Sequence, residues 1–357
     1  MRLFSFLFIL IAGFQPLKTV AGNTDTITAR YEESYRRIEG LIKNNGLFKE
    51  AVFITEKTFG IGNISQKEYF DFIDYLVILS KQVRKYHNAY RYHLDDSSNY
   101  LLNQSIFSII CDTLNAKVST FKRKLTPFSY NFDDPTGKMD WSNMFVTKMF
   151  VTNKGNCHSL AYLYKILSDE VGARSWLALA PNHIYIRNYS EGIGWYNSEL
   201  TSGIFPTDAW VATTGYVSAD AIRSGVYMDT LDNQQSIALC MLDLAKEYEF
   251  QTHNYYDGFI LKCCNLVLQF HAVNPMALLL KAETLKKMYL KQTEDKNPNA
   301  ASMYAEMEKT YITLAKLGYR EMPEKMYLDW LRSLTKQREK YSNKKVSAVT
   351  ATKKTGK

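Results

Sequence analysis

The stretch from Asn156 to Thr201 constrains the fold most, because its pattern predicts one helix followed by two strands. After Cys157, apolar side chains recur at the three- and four-residue spacing of a single buried helical face: Leu160, Leu163, Tyr164, Leu167 and Val171. Gly172 is typical of the position just past a helix C-terminus. The pattern therefore places Cys157 at a helix N-terminus, where unpaired backbone N–H groups and the helix dipole favour a thiolate over a thiol.

Two strands are predicted directly after this helix. Residues 175–180 form a short apolar and aromatic run, and residues 183–189 alternate so that His183 and every second residue after it share one face. A glycine-containing turn then leads into a second alternating run at 195–201, which contains Glu199. The segment therefore carries a cysteine at the start of the helix, a histidine on the strand at 183–189 and an acid on the run at 195–201.

The register between the last two strands decides whether the histidine and the acid meet. The turn allows Tyr189 to pair with Trp195. His183 then lies opposite Thr201 and diagonal to Glu199, and diagonal neighbours are within reach of long side chains. A slip of one residue would break this geometry. The sequence thus predicts that His183 and Glu199 meet in this register.

This order of residues resembles the transglutaminase-like branch of the papain-like cysteine enzymes. The core of that family runs Cys on a helix, His on a strand and Asp on the next strand, and its last element often reads W-x-x-x-D-x-T. This chain has Trp195-Tyr-Asn-Ser-Glu199-Leu-Thr201 at that place. The resemblance implies an α+β fold in which a Cys-bearing helix packs on a small antiparallel sheet. It also implies that Cys157 is the nucleophile and His183 the base, with Glu199 in place of the family's Asp.

The implied roles are chemically coherent. A thiol is a weak nucleophile unless it is ionised, and a histidine within hydrogen-bond reach can hold a thiolate–imidazolium pair. A carboxylate or amide on the other ring nitrogen orients the ring, and Glu199, Asn197 and Asp208 are all open candidates for that role. The backbone N–H of Cys157 could supply half of an oxyanion hole. The second donor stays open, with three candidates upstream: Trp141, Asn143 and Asn153.

The remaining chain divides into four regions around this core, which is predicted to span residues 131–230. Residues 1–21 are predicted to be a signal peptide, because a positive start precedes an apolar stretch too short to span a membrane. Residues 22–130 are predicted to be helical. Residues 231–334 are predicted to be helical hairpins that resemble tetratricopeptide repeats without a clean repeat period. Residues 335–357 are predicted to be a basic, disordered tail.

Several helices have specific sequence signals. Ser65 and Glu68 have the spacing of a capping box ahead of an apolar helical run. A second N-terminal helix is expected over residues 99–114. The C-terminal part contains five segments of helical length: 232–250, 255–270, 275–290, 301–317 and 323–341.

Charge and cysteine content argue against several classes of function. The net charge is +8, but the tail alone carries a balance of +7, and Arg2 and Lys18 lie in the predicted signal peptide. The body between them is near neutrality, so no nucleic-acid partner is predicted, although the tail could contact an anionic surface. The five cysteines form no CxxC pair and no cluster with metal-site spacing. No metal or cofactor is therefore predicted.

The expected function is that of an exported protein, periplasmic or extracellular, that breaks or transfers an amide acyl group. The substrate would be a peptide or protein amide, and the enzyme a cysteine peptidase, an amidase or a transglutaminase-like acyltransferase acting through Cys157, His183 and Glu199. Hydrolysis is preferred because no amine-donor site stands out. The alternative is a non-catalytic binding or scaffold protein that holds a peptide or envelope partner on its C-terminal helices.

Overall fold

A computed structural model describes residues 24–60, 64–85, 95–118, 121–336 and 343–346. These residues form a mixed α/β protein that is mostly helical, with one four-stranded sheet and two two-stranded sheets. The predicted signal peptide at 1–21 and most of the predicted tail lie outside the described residues. No helix in the described ranges is long and apolar enough to cross a membrane.

The N-terminal part of the described chain begins with helices α1 (Thr24–Lys43), α2 (Phe48–Phe59), α3 (Gln66–Arg84) and α4 (Ser97–Cys111). The predicted capping box starts α3. The Ser65 hydroxyl accepts the Glu68 backbone N–H, and the Glu68 carboxylate accepts the Ser65 backbone N–H. Helix α4 ends at Cys111, three residues before the predicted end at Leu114.

Residues 114–125 differ from the expectation that the whole region from 22 to 130 is helical. Leu114–Val118 forms strand β1 and Phe121–Leu125 forms strand β2, and the two pair antiparallel. Apolar residues alternate with polar ones along β1 in the sequence L-N-A-K-V. That period of two is the period of a strand, and it outweighs the helical signal of the preceding residues.

A short irregular segment leads from this hairpin to the core helix. Strand β3 (Ser129–Tyr130) pairs in parallel with β4 (Lys154–Gly155), which directly precedes Asn156. Between them lie a 3₁₀ helix (Trp141–Met144) and helix α5 (Val146–Thr152). The parallel pair therefore fixes where the chain enters the core helix.

The core helix α6 (Cys157–Val171) has the predicted start, and Gly172 ends it in the left-handed conformation at φ 72°. It packs against the sheet strands that follow it and against helices α3 and α4. Its apolar face is buried, as the spacing of its leucines and tyrosines predicts. Because helices cover it on one side and the sheet on the other, α6 is held along its whole length.

Three strands follow α6, and together with a fourth strand that comes later in the chain they form one antiparallel sheet. They are β5 (Ser175–Ala180), β6 (His183–Ser190) and β7 (Gly194–Ser198). After the short helices α7 (Asp208–Thr214) and α8 (Ala219–Arg223), strand β8 (Thr230–Leu231) completes the order β7-β6-β5-β8.

The register between β6 and β7 is the predicted one, since Tyr189 pairs with Trp195. Strand β7 is shorter than expected, because it ends at Ser198 instead of Thr201. Beyond that point the Glu199 backbone exchanges two hydrogen bonds with Ile204, at 2.8 and 3.1 Å, so the chain folds back on itself. Glu199 therefore lies in a tight turn at the end of the sheet.

The C-terminal region contains the five predicted helices with shifted ends: α9 (Asn233–Thr252), α10 (Phe259–Phe270), α11 (Pro275–Glu294), α12 (Ala300–Lys316) and α13 (Glu324–Lys336). The first four pack as consecutive neighbours, and α9 also packs on α1 and α2. Helices α1 and α2 thus pack directly on the C-terminal helices. Helix α13 instead reaches the core, where Tyr327 and Trp330 are buried.

Residues 343–346 lie within the segment predicted to be a disordered tail, yet they are packed on the protein. The Asn343 backbone N–H donates to the Phe205 carbonyl at 2.6 Å. Val346 is fully buried in a small cluster with Tyr100 and Tyr196. This short segment of the basic tail is therefore held by a backbone hydrogen bond and a buried apolar side chain.

Candidate active site

Cys157 is the first residue of α6, and the residue before it fixes its position. Asn156 Oδ1 accepts the backbone N–H groups of His158 and Ser159, at 3.0 and 3.3 Å. In return, Ser159 Oγ accepts the Asn156 backbone N–H at 3.0 Å. This reciprocal capping box starts the helix at Cys157. As the first helical residue, Cys157 has a backbone N–H without an acceptor inside the helix.

His183 and Glu199 meet as the sequence predicts. His183 Nε2 lies 2.6 Å from Glu199 Oε2. The other carboxylate oxygen, Oε1, accepts the Thr201 backbone N–H at 2.9 Å. The His183 and Glu199 side chains are only 2% and 4% exposed. Since both carboxylate oxygens are held and water is excluded, Glu199 fixes the plane of the imidazole ring.

The charged forms of Cys157, His183 and Glu199 stabilise one another. Burial alone disfavours charge on all three groups. Interaction with the His183 imidazole nevertheless lowers the pKa of the Cys157 thiol below its usual value. Attraction to Glu199 and to Cys157 raises the pKa of His183 to about 10. Attraction to His183 lowers the pKa of Glu199. These mutual attractions therefore shift the three groups towards a thiolate, an imidazolium and a carboxylate.

The second ring nitrogen of His183 is not held by Glu199. Glu199 occupies Nε2, and Nδ1 is buried without a normal hydrogen bond from any described residue. Cys157 and His183 are close enough that each alters the pKa of the other. Nδ1 is therefore the nitrogen left to exchange a proton with the thiol or with a substrate.

Helix α13 covers this site, which the sequence did not predict. Tyr327 Oη lies 3.7 Å from Cys157 Sγ. The Trp330 ring meets the His183 ring edge-on, with centroids 4.8 Å apart. Burial raises the pKa of Tyr327 well above its usual value, so its hydroxyl keeps its proton. The Cys157 residue is consequently only 8% exposed.

The two rival orienting residues do not reach His183 but bind each other. Asn197 Nδ2 donates to Asp208 Oδ1 at 2.7 Å. The other Asp208 oxygen, Oδ2, pairs with Arg187 Nη2 at 3.1 Å. Of the three candidates, Glu199 is the one in contact with the imidazole.

The upstream candidates for a second oxyanion donor are engaged elsewhere. Asn143 Nδ2 donates to Asp134 Oδ2 at 2.8 Å. Asn153 Nδ2 donates to the Pro127 carbonyl at 2.7 Å. Trp141 packs on Phe250, with ring centroids 5.5 Å apart. The Tyr327 hydroxyl lies 3.7 Å from the thiol and can donate to it when the thiol is ionised.

The geometry gives no sign of a metal centre, because no group of three or more His, Cys, Asp or Glu side chains in the described part of the chain is arranged to hold an ion. Comparison with known proteins adds no relative. No protein-family model matches the chain, and neither curated proteins nor solved structures yield a match. The function of the site must therefore be inferred from its residues and their geometry.

Proposed function

We propose that the protein is a cysteine enzyme of the transglutaminase-like type that cleaves or transfers an amide acyl group. The observation that carries the proposal is the buried row of Cys157, His183 and Glu199, in which Glu199 holds Nε2 of the imidazole. Their mutual attraction shifts each member towards the charge state that the reaction requires, because an ionised thiol is the effective nucleophile.

The first half of the reaction breaks the amide bond. The Cys157 thiolate attacks the carbonyl carbon, and negative charge moves to the carbonyl oxygen. The Cys157 backbone N–H and the Tyr327 hydroxyl are the candidate donors to this oxyanion. When the intermediate collapses, the C–N bond breaks, and the departing amine takes the proton of the His183 imidazolium. A thioester on Cys157 remains.

The second half releases the acyl group. His183, now neutral, accepts a proton from an attacking water while the water oxygen bonds to the thioester carbon. The C–S bond then breaks and restores the thiolate, which the protonated His183 again stabilises. An amine in place of water would give acyl transfer. Hydrolysis is the preferred outcome because water needs no acceptor site of its own.

The substrate in this proposal is a peptide or protein amide, and the stacked C-terminal helices offer a surface for a protein partner. Export belongs to the same proposal, based on the predicted signal peptide at residues 1–21. Mass spectrometry of the protein from an exporting host tests export. A mature N-terminus near residue 22 supports it, and a mature chain that retains Met1 contradicts it.

The catalytic proposal is tested by the pH dependence of Cys157 alkylation with iodoacetamide, followed by peptide mapping. Half-maximal reactivity below about pH 7 is expected for a thiol that is paired with a cation. A midpoint near the ordinary value of about 8.5 would contradict the proposal. Cys111 provides an internal control, because it is the other cysteine that is not fully buried. Loss of amidase activity in Cys157→Ala, but not in Cys111→Ala, would then assign the nucleophile.

One observation favours the alternative of a binding protein. Tyr327 of α13 contacts Cys157 and Trp330 contacts His183, so α13 covers the thiol and must move before a substrate can reach it. A folded protein whose Cys157 resists alkylation at every pH would support a non-catalytic role. The search for function would then turn to peptides bound by the C-terminal helices.

A further inference from the structure

His158, the residue after Cys157, is held between two groups that accept hydrogen bonds. His158 Nδ1 lies 2.9 Å from the Met144 carbonyl oxygen. His158 Nε2 lies 3.0 Å from Asp243 Oδ2. A carbonyl oxygen can only accept, and so can an ionised carboxylate. Both ring nitrogens must therefore carry protons, which makes the His158 side chain an imidazolium.

The surroundings of His158 suit a positive charge. The Tyr162 hydroxyl donates to the same Asp243 oxygen at 2.7 Å, so it reinforces the carboxylate as an acceptor. Burial would lower the pKa of His158, but attraction to Asp243 raises it above its usual value. The His158 side chain is 14% exposed. Neutralising the His158 ring would leave the Asp243 carboxylate with the Tyr162 hydroxyl but without the positive charge of His158, in a nearly closed site.

Other titratable groups face His158 from the elements packed around it. They line a cavity of about 10 Å³ together with His158. Those groups are Glu56 on α2, Cys240, Asp243 and Glu247 on α9, and Tyr162 on α6 itself. Burial raises the pKa of Glu247 and of Cys240 well above their usual values, so both favour their neutral forms. Asp243 is the group whose carboxylate contacts the imidazolium directly.

The contacts of His158 also fix the backbone on which Cys157 depends. His158 ties the first turn of α6 to the Met144 carbonyl and to α9. Nearby, the two oxygens of Glu56 accept the backbone N–H groups of Val146 and Thr147, at 2.7 and 2.8 Å. The turn between the 3₁₀ helix and α5 is thus clamped from two sides. Because His158 follows Cys157 directly, the thiol cannot shift without disturbing these bonds.

We propose that His158 is a positioning residue for Cys157, locked as an imidazolium between Met144 and Asp243, which holds the first turn of α6 and places an imidazolium on the residue next to the thiol. The Cys157 thiolate is then stabilised by two imidazolium groups, that of His183 and that of His158, and Asp243 keeps the second one charged. This inference rests on the proposed function, since it assigns His158 a role in making the Cys157 thiolate.

The test uses full-length mature protein in which the four cysteines other than Cys157 are replaced by alanine. The ultraviolet absorbance of the thiolate is followed against pH, because this readout does not depend on reagent access. His158→Gln retains a donor towards Asp243, and His158→Asn retains one towards Met144, but neither carries a charge. Both variants are expected to raise the ionisation midpoint of Cys157 by about half a unit to one unit.

His271→Gln is the matched control. His271 is another buried histidine, paired with Asn274 at the start of α11, and its replacement should leave the midpoint unchanged. An unchanged midpoint in folded His158→Gln and His158→Asn overturns the inference. A parent protein whose thiol ionises near the ordinary value of about 8.5 contradicts the proposed function instead.

A measurement on the unmodified protein covers the case in which the His158 variants do not fold. The nitrogen chemical shifts of the His158 ring report whether one or both nitrogens are protonated. Two protonated nitrogens across neutral pH are expected. A ring that is neutral at neutral pH overturns the inference, whatever the behaviour of the variants.

Discussion

His183 Nε2 lies 2.6 Å from Glu199 Oε2 in a site from which water is almost excluded. The Thr201 backbone N–H holds the other Glu199 oxygen, so the carboxylate cannot rotate away. The chain turns sharply after Ser198, and from this turn the side chain of Glu199 reaches the His183 imidazole. The contact links the turn after β7 to the first residue of β6, and it favours the charged form of the imidazole.

Glu199→Gln should weaken the thiolate while preserving the shape of the site. The amide keeps a hydrogen-bonding group near Nε2 but removes the negative charge that raises the pKa of His183. With a weaker imidazolium beside it, the Cys157 thiol should ionise about one unit higher in the alkylation profile. Glu191→Gln, on an exposed turn of the same sheet, should match the wild-type profile. A Glu199→Gln profile identical to wild type would show that Glu199 does not support the ion pair.

Much of this site could be predicted from local patterns. The helical spacing after Cys157 and the alternation after His183 each identify an element, and one turn sets the register that joins them. The hydrophobic periodicity of a single helix or strand is a local property, so it can be recognised from the sequence of that element alone. The contact between His183 and Glu199 follows from that register, even though β7 ends early.

The parts that could not be predicted depend on distant segments. Tyr327 and Trp330 have the spacing of one helical face, but the sequence does not say which surface that face covers. The same holds for Asp243, which meets His158 only because α9 packs beside α6. Val346 shows the limit of composition, since a segment of a basic tail can still pack on the protein through a buried side chain. Long-range packing decided each of these contacts.

Tyr327→Phe should distinguish the effect of the Tyr327 hydroxyl on Cys157 from the effect of its ring. The phenylalanine ring keeps the packing against Trp330, but the donor 3.7 Å from Cys157 Sγ is lost. Without that donor, the midpoint of Cys157 ionisation should rise by about half a unit. Tyr304→Phe on α12, whose ring is largely exposed, is the control and should have no effect. A lower midpoint in Tyr327→Phe would mean that the hydroxyl opposes ionisation.

Trp330→Ala should instead open the site. Trp330 covers His183, and its indole N–H donates to Thr214 Oγ1 at 3.1 Å. Removing a buried tryptophan lowers the free energy of unfolding by about 3–5 kcal/mol. We expect much of this loss to weaken the packing of α13 on the rest of the protein. The alkylation rate of Cys157 at high pH, where the thiol is fully ionised, should therefore increase. An unchanged rate would show that α13 does not limit access.

Asn156→Ala should disturb both stability and the thiol. Loss of this capping side chain should lower the free energy of unfolding by about 1 kcal/mol in a urea titration. It should also alter Cys157 reactivity, because Asn156 fixes the first turn of α6. Asp232→Ala removes an equivalent capping box from α9, so it is the matched control. That variant should lose similar stability with no change in the reactivity of Cys157. Equal changes of Cys157 reactivity in Asn156→Ala and Asp232→Ala would contradict a specific role of Asn156 in placing the thiol.

Glu56→Gln should change how stability depends on pH. Burial raises the pKa of Glu56 from 4.5 to about 7, so the folded state holds its proton more tightly than the unfolded state. The stabilisation from this proton is complete below about pH 4.5 and is lost as the pH rises through about 7. Wild type should therefore lose about 3 kcal/mol over this window relative to Glu56→Gln. Urea titrations at several pH values measure the difference.

Glu50→Gln, on the same helix but outside the cavity, should retain the wild-type slope. Parallel curves for wild type and Glu56→Gln would show that Glu56 ionises as easily in the folded protein as in the unfolded chain.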